Sequence, residues 1–273
     1  MSKKVIRGAV IGSPITHSLS PLLHKEALKH LGISATYEPI EVKEGELDTF
    51  FQSRSVDFDY FSITMPLKEE ALSLNVCTDS LSTRVQTANT LYKTGQEWHL
   101  TTTDGRGFVE SLAVQGFNSF QSVLVLGAGG TARAVVGALD GISENITVLG
   151  RTSTRRSTLE AAIKESNFEY LRWNDSIDFS LYDLVVNTTP AGAADLIADA
   201  LSGAGAGLLF DIIYNPWPTH LASRWKDSGG QVVSGLEMLL FQGIAQLELV
   251  LGYDLDHQAL AHHLRQKLLN AVK

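Results

Sequence analysis

The sequence predicts an α/β protein in two parts, an N-terminal α/β domain and a Rossmann-type domain after it. Three observations carry this. Strand-like runs alternate with helix-like ones along the chain, the pattern of a parallel sheet covered by helices. The run "VLVLGAGGTARAVVGAL" over 123–139 sets glycines between a buried strand and a helix. Asp104-Gly105 then breaks the chain between two separate series of such elements.

In the first series, strands are expected over 5–11, 36–42 and 60–64, with helices over 21–31, near 45–53 and around 68–74. The helix over 21–31 is well punctuated. Ser20 suits its cap, Pro21 its first turn and Gly32 its exit. A hairpin is expected over 89–93 and 98–102, turning at Thr94-Gly95-Gln96. A helix ending near Gly116 follows Asp104-Gly105.

The second series opens with a strand from Ser122, then a helix over 131–139, a strand over 146–149 and a polar helix around 157–166. Strands "DLVVNTTP" and "LLFDIIY" come next. Last are a long amphipathic helix, "SGLEMLLFQGIAQLELVLG", and a helix near 257–272. The expected division is 1–103 for the first domain, completed by helices over 239–273, and 104–238 for the second.

The 273 residues can bury a proper core in either one domain or two. An apolar fraction of 44% with 19% charged residues places the chain among globular proteins rather than disordered ones. The net charge of −8, with lysines and arginines scattered, argues against nucleic acid as partner. No run of about 18 apolar residues offers a membrane span, and the N-terminus lacks a signal-peptide pattern. The one cysteine, Cys77, excludes an intrachain disulfide and reads as a half-buried apolar residue in a reducing compartment. A cytoplasmic protein without a metal site is expected.

Gly127-x-Gly129-x-x-Ala132 permits a tight turn, a close approach of backbone N–H groups to a pyrophosphate and close helix–strand packing. The helix N-terminus adds partial positive charge. Where an NAD site places an acid on the following strand, this chain has Gly150-Arg151-Thr152, then Arg155 and Arg156. Arginine matches phosphate through bidentate, charge-assisted hydrogen bonds, so Arg151 and Arg155 suit the 2′-phosphate of NADP.

A nicotinamide enzyme also needs a site that gives or takes a proton. Beyond the strand ends of the first series lie "GSPITHSLSP" with His17, Ser18 and Ser20, "SITMPLK" with Thr64 and Lys68, "TANT" with Asn89, and "TTTDG" with Asp104. Ligands of open α/β sheets gather at such ends. Hydroxyls, an amide, a cation and a carboxylate together suit a small polyhydroxylated acid. Gln242 and Gln246 lie four apart and share a face of the long helix; either can reach such a site.

Taken together these motifs resemble the shikimate dehydrogenase family, nearly end to end. The resemblance is carried by Gly12-Ser13-Pro14, His17-Ser18-Leu19-Ser20-Pro21-Leu22-Leu23-His24, Thr64-Met65-Pro66-Leu67-Lys68, Ala88-Asn89-Thr90 and Thr103-Asp104-Gly105. In the second half it is carried by "GAGGTARA", "NTTPAG", Asp211 to Tyr214 with Pro218-Thr219, and "GLEMLLFQG". It implies NADPH-dependent reduction of 3-dehydroshikimate to shikimate, a step of aromatic amino-acid biosynthesis, by a monomer or homodimer. By the same resemblance Lys68 and Asp104 form the catalytic pair, and Ser18, Ser20, Thr64, Lys68, Asn89, Asp104, Tyr214 and Gln242 contact the substrate. Cofactor contacts are implied at Gly127, Ala128, Gly129, Gly130, Thr131, Gly150, Arg151, Thr152, Ser153, Thr154, Arg155, Ile212 and Gly235.

Three positions depart from the family pattern. Lys25 and Thr102 stand where the family often has Asn, which would adjust the substrate pocket. Gly150 stands where the cofactor loop often has Asn, which removes one hydrogen bond to NADP. The chemistry implied is hydride transfer to the ring ketone with Lys68 as acid and Asp104 as its orienting partner; which of the two finally moves the proton stays open. The rival readings are a quinate/shikimate dehydrogenase using NAD, a non-catalytic NADP-binding regulator on the same fold, and a folate-dependent methylene dehydrogenase, which the serine loop fits poorly.

Overall fold

The computed structural model describes residues 5–201 and 207–272. The chain forms two compact units: one runs to Gly107 and resumes at Leu239, and the other spans Phe108–Met238.

The first unit contains strands β1 (Ile6–Gly12), β2 (Ala35–Glu41), β3 (Tyr60–Ile63), β4 (Cys77–Thr78), β5 (Thr90–Thr94) and β6 (Glu97–Thr101). Helices α1 (Ser20–His30), α2 (Leu47–Arg54), α3 (Leu67–Glu70) and α4 (Ser80–Val85) lie between them, and α5 (Asp104–Ala113) follows. The sheet order is β2-β1-β3-β5-β6-β4. β1, β2 and β3 run parallel, while β5 pairs antiparallel with both β3 and β6. Gly95 at φ 66° opens the two-residue β5–β6 link, where a hairpin turn favours positive φ. Ile11, Phe61, Ile63, Leu67, Leu91 and Leu100 meet in one buried cluster under this sheet.

The second unit holds β7 (Phe120–Leu126), α6 (Gly130–Leu139), β8 (Ser143–Gly150), α7 (Arg156–Ala161), β9 (Asn167–Arg172), β10 (Leu184–Asn187), α8 (Asp195–Ala200), β11 (Leu208–Asp211), α9 (His220–Asp227) and β12 (Gln231–Ser234). Its strands all run parallel in the order β12-β11-β10-β7-β8-β9. Taken from the β9 edge, that is the 3-2-1-4-5-6 order of a dinucleotide-binding sheet. β10 and β11 are buried at every residue, as strands covered on both faces must be. The long helix α10 (Gly235–Leu251) and α11 (His257–Ala271) close the chain, and from Leu239 onward they belong to the first unit.

The observed elements correct several expectations. Helix α1 starts at Ser20 itself, so Ser20 is no cap; instead Ser18 Oγ accepts the Ser20 N–H at 3.3 Å. The polar helix expected to reach 166 stops at Ala161, because the Asp140 carboxylate draws off the N–H groups of Lys164, Glu165 and Ser166 at 2.9–3.0 Å. The chain then becomes edge strand β9. The strand expected to reach Tyr214 ends at Asp211, whose carboxylate accepts Ile213 N–H at 3.1 Å and Thr219 Oγ–H at 2.6 Å and folds the chain back. Cys77 is exposed rather than half-buried, since β4 is a two-residue strand paired only to β6. Among the described residues, no helix is long and apolar enough to cross a membrane.

Candidate active site

In the first unit, β1 pairs with β2 on one side and β3 on the other, so strand order reverses there. The loops after β1 and β3 leave the sheet side by side. Thr64 N–H donates to Ile11 O at 2.9 Å and Ser13 N–H to Met65 O at 3.0 Å. A Cβ on Gly12 would lie 2.5 Å from Thr64 Cγ2 and 2.6 Å from Met65 O, so only glycine allows the two loops to meet. Ser18 continues the first loop, Ser20 opens the helix α1 that follows it, and Lys68 follows the second loop.

Lys68 sits in the short helix α3 with its side chain only 17% exposed, in an ion pair with Asp104, the first residue of α5. Asp104 Oδ2 accepts from Lys68 Nζ, and Oδ1 accepts from Asn89 Nδ2 at 2.7 Å. The Asn89 amide cannot turn round: its Oδ1 accepts the backbone N–H of Thr103 at 2.7 Å, and a backbone N–H is only a donor. Its Nδ2 therefore faces Asp104, and also Gln242 Oε1 at 3.1 Å.

Two features behind this cluster were not foreseen from the sequence. A Cβ on Gly107 would lie 2.5 Å from the backbone N of Gln242, so α5 and α10 touch there and Gln242 is brought against Asn89. Gln246, which the helical pattern could not separate from Gln242, lies deeper. Its Nε2 donates to Thr90 Oγ1 at 2.8 Å and to Asn89 O at 3.0 Å, and its Oε1 accepts from Ser62 Oγ at 2.6 Å. Ser62 in turn accepts from Tyr37 at 2.6 Å, and Thr90 donates to Asn89 Oδ1 at 2.8 Å. Beside them His24 stacks on Tyr37 and hydrogen-bonds Tyr60 through Nδ1 at 3.0 Å. Burial lowers the His24 pKa to about 3, so it is neutral.

Of the departures, Thr102 is buried. Lys25 is exposed and lines an open groove with Arg7, Glu38 and Arg54.

In the second unit, the turn from β7 into α6 falls where β7 parts β8 from β10. Gly127 has φ 106°, and a Cβ there would meet Thr188 Oγ1 at 2.6 Å. At Gly129, the residue before α6, the nearest atom to an added Cβ is Arg155 Nη1 at 3.9 Å. Room thus remains in front of the first turn of a ten-residue helix, with a guanidinium at its edge. Arg155 Nη1 donates to Ala128 O at 3.3 Å. Residues 151–157 are all exposed, and the strand end that would hold an acid holds Gly150. A pyrophosphate with a further phosphate beside it fits this donor set.

Gly235 and Ile212 also meet: a Cβ on Gly235 would lie 1.8 Å from Ile212 O. Tyr214 is half-buried in the segment after β11, in the second unit. Thus Lys68, Asn89, Asp104 and Gln242 are bonded into one cluster, while Ser18 and Thr64 lie on loops at the same sheet end and Ser20 opens α1 there. The motifs "NTTPAG" and Asp211 to Thr219 shape strand ends: Asn187 Nδ2 donates to Asp211 Oδ1 at 3.0 Å, and Thr219 caps α9.

Comparison with known proteins agrees with this architecture. Residues 10–91 match the family described as "Shikimate dehydrogenase substrate binding domain". The chain is 34% identical over 251 residues to a shikimate dehydrogenase (NADP(+)) of Exiguobacterium sibiricum, covering 91% of this chain and 93% of that protein. It is 37% identical over 254 residues to one from Thermosynechococcus vestitus, covering 89% of each. Among solved structures, shikimate 5-dehydrogenase of Thermus thermophilus in complex with NADP(H) and shikimate is 29% identical, with a TM-score of 0.82 over 96% of this chain and 99% of that one.

Proposed function

The chain belongs to the shikimate dehydrogenase family, and from that premise we propose that it reduces 3-dehydroshikimate to shikimate reversibly with NADPH. The observation that carries the reading is the Lys68–Asp104 pair, part-buried, with Asp104 oriented by the fixed amide of Asn89.

When bound, NADPH supplies the hydride. Gly127, Ala128, Gly129, Gly130 and Thr131 would hold its pyrophosphate through backbone N–H groups. Arg151 and Arg155 would hold its 2′-phosphate, flanked by Gly150, Thr152, Ser153 and Thr154, with Ile212 and Gly235 lining the site. An enzyme suited to NAD would want a carboxylate at the end of β8, where this chain has Gly150 and Arg151.

The chain's own chemistry is proton transfer. Lys68 Nζ faces the carbonyl oxygen of the substrate, steadies the negative charge that grows there, and gives it a proton. In the oxidative direction Lys68 takes that proton back from the alcohol. Asp104 fixes the ammonium, and its two oxygens keep lone pairs for a substrate hydroxyl after serving Lys68 and Asn89. Asn89, Gln242, Thr64 and Tyr214 are assigned to the ring hydroxyls. Ser18 and Ser20 are assigned to the carboxylate; since Ser18 Oγ accepts from Ser20 N–H, its own proton is left to donate. The reading carries a cytoplasmic location, which the unpaired Cys77 fits.

The test is oxidation of shikimate and of quinate, each with NADP and with NAD. The proposal expects shikimate with NADP to give the highest kcat/KM of the four. A higher value for quinate or for NAD would replace it, and NADPH binding without turnover of any pair would make the chain a binding protein.

A further inference from the structure

Strand β8 ends at Gly150, in parallel register with Arg172 of β9. Two residues before Arg172, the Tyr170 ring lies along the strand pair. A Cβ placed on Gly150 would stand 1.8 Å from the Tyr170 hydroxyl oxygen and 2.7 Å from ring carbon Cζ. The phenol therefore fills the space that a side chain at Gly150 would take. Its hydroxyl donates to the carbonyl of Thr152, the extended residue that leads into the 3-10 turn Ser153–Arg155. Burial raises the pKa of this phenol, which keeps its proton available for that bond at neutral pH.

Core packing does not hold the turn, because residues 151–157 are all exposed. A second anchor lies at its far end, where Arg155 donates to Ala128 O in the glycine loop. Gly150 O accepts Trp173 N–H at 3.0 Å, which fixes the strand end but not the turn beyond it. An arginine pair that must be ordered on binding loses affinity to the entropy of ordering, and one held beforehand does not.

We propose that Tyr170 is a positioning residue for cofactor preference: by holding the Thr152 carbonyl it presets the turn that carries Arg151 and Arg155, and glycine at 150 is what admits it. The inference rests on that turn being the 2′-phosphate site. A cofactor lacking the 2′-phosphate makes no use of the turn, so the effect is confined to NADPH.

The experiment is steady-state kinetics with NADPH and with NADH, at saturating 3-dehydroshikimate, on the native protein and on Tyr170→Phe, Arg151→Ala, Gly150→Ala, Tyr170→Ala and the Gly150→Ala/Tyr170→Ala pair. Tyr170→Phe removes one neutral hydrogen bond and should raise KM for NADPH about three- to tenfold. KM for NADH should stay within about twofold, as for a substitution at an uninvolved surface position. Gly150→Ala displaces the phenol and should reproduce that loss, while adding it to Tyr170→Ala should change nothing further. Equal losses with both cofactors, or an unchanged NADPH/NADH ratio in Tyr170→Phe beside a lowered one in Arg151→Ala, overturn the role of Tyr170 alone. An unchanged ratio in Arg151→Ala overturns the phosphate reading of the turn, and this inference with it.

Discussion

The two units build their candidate sites from opposite materials. In the first, the groups that matter are buried side chains: Asn89, Asp104, Gln242 and Gln246 are each less than a tenth exposed and are bonded into one cluster. In the second, they are side chains absent or turned to solvent: Gly127 turns at positive φ against Thr188, Gly129 leaves open space before α6, and residues 151–155 are exposed. The difference follows from the task. Moving a proton needs a group held in one direction, in surroundings where its charge acts strongly. Holding a phosphate needs access to backbone donors and a few solvent-facing cations. Substitutions in the first unit should therefore act on the chemical step and on folding, and those in the second on cofactor affinity.

Lys68→Ala should have the largest effect, lowering kcat at least about 100-fold, the low end of general acid–base contributions, with the Kd for NADPH unchanged. Near-normal turnover would make Lys68 structural and remove the contrast between the units.

The buried network behind Lys68 should show itself in acid. His24 has a folded pKa of about 3 against an ordinary 6.5, so as pH falls the unfolded chain takes up the proton first and stability is lost between those values. Between pH 6.5 and 5 this amounts to at most about 2 kcal/mol, from 1.36 kcal/mol per unit. Urea midpoints at pH 7 and pH 5 should lie further apart in the native protein than in His24→Gln; equal spacing would mean that His24 is not held neutral by burial.

Arg151→Ala should have the smallest effect of these three. KM for NADPH should rise about tenfold, since an exposed guanidinium contributes modestly, while KM for NADH should change far less. The NADPH effect should shrink as salt is raised, because an exposed charge pair is screened.

The same contrast decides how much was legible in the sequence. The glycine loop reads directly, since Gly127 and Gly129 act by lacking a side chain between a recognisable strand and helix. Lys68 and Asp104 are nameable only through their place in family motifs; nothing local to "MPLK" or "TTDG" tells that they meet. Gln246 was indistinguishable from Gln242 because the helical period puts both on one face, and only packing of α10 sends one to the core. Gly107 and Tyr170 were illegible for another reason: each works by close approach to a residue distant in sequence or on a neighbouring strand. The helix expected to reach 166 failed because its end is set by Asp140, some twenty residues earlier. Strand β9 was hidden because edge strands carry too few buried residues to signal themselves. Gly150 reads in the sequence only as a missing side chain; that Tyr170 occupies the space a side chain there would take is legible only in the structure.

The division of labour is tested most directly by combining Lys68→Ala with Arg151→Ala and measuring kcat/KM for NADPH in all four forms. If the two units carry separate tasks, the logarithm of the loss in the double variant equals the sum of the logarithms of the single losses, to within about 0.5 kcal/mol when converted to free energy, the usual limit for independent sites. A double variant no worse than Lys68→Ala alone would show that both residues serve one step, and would contradict the account.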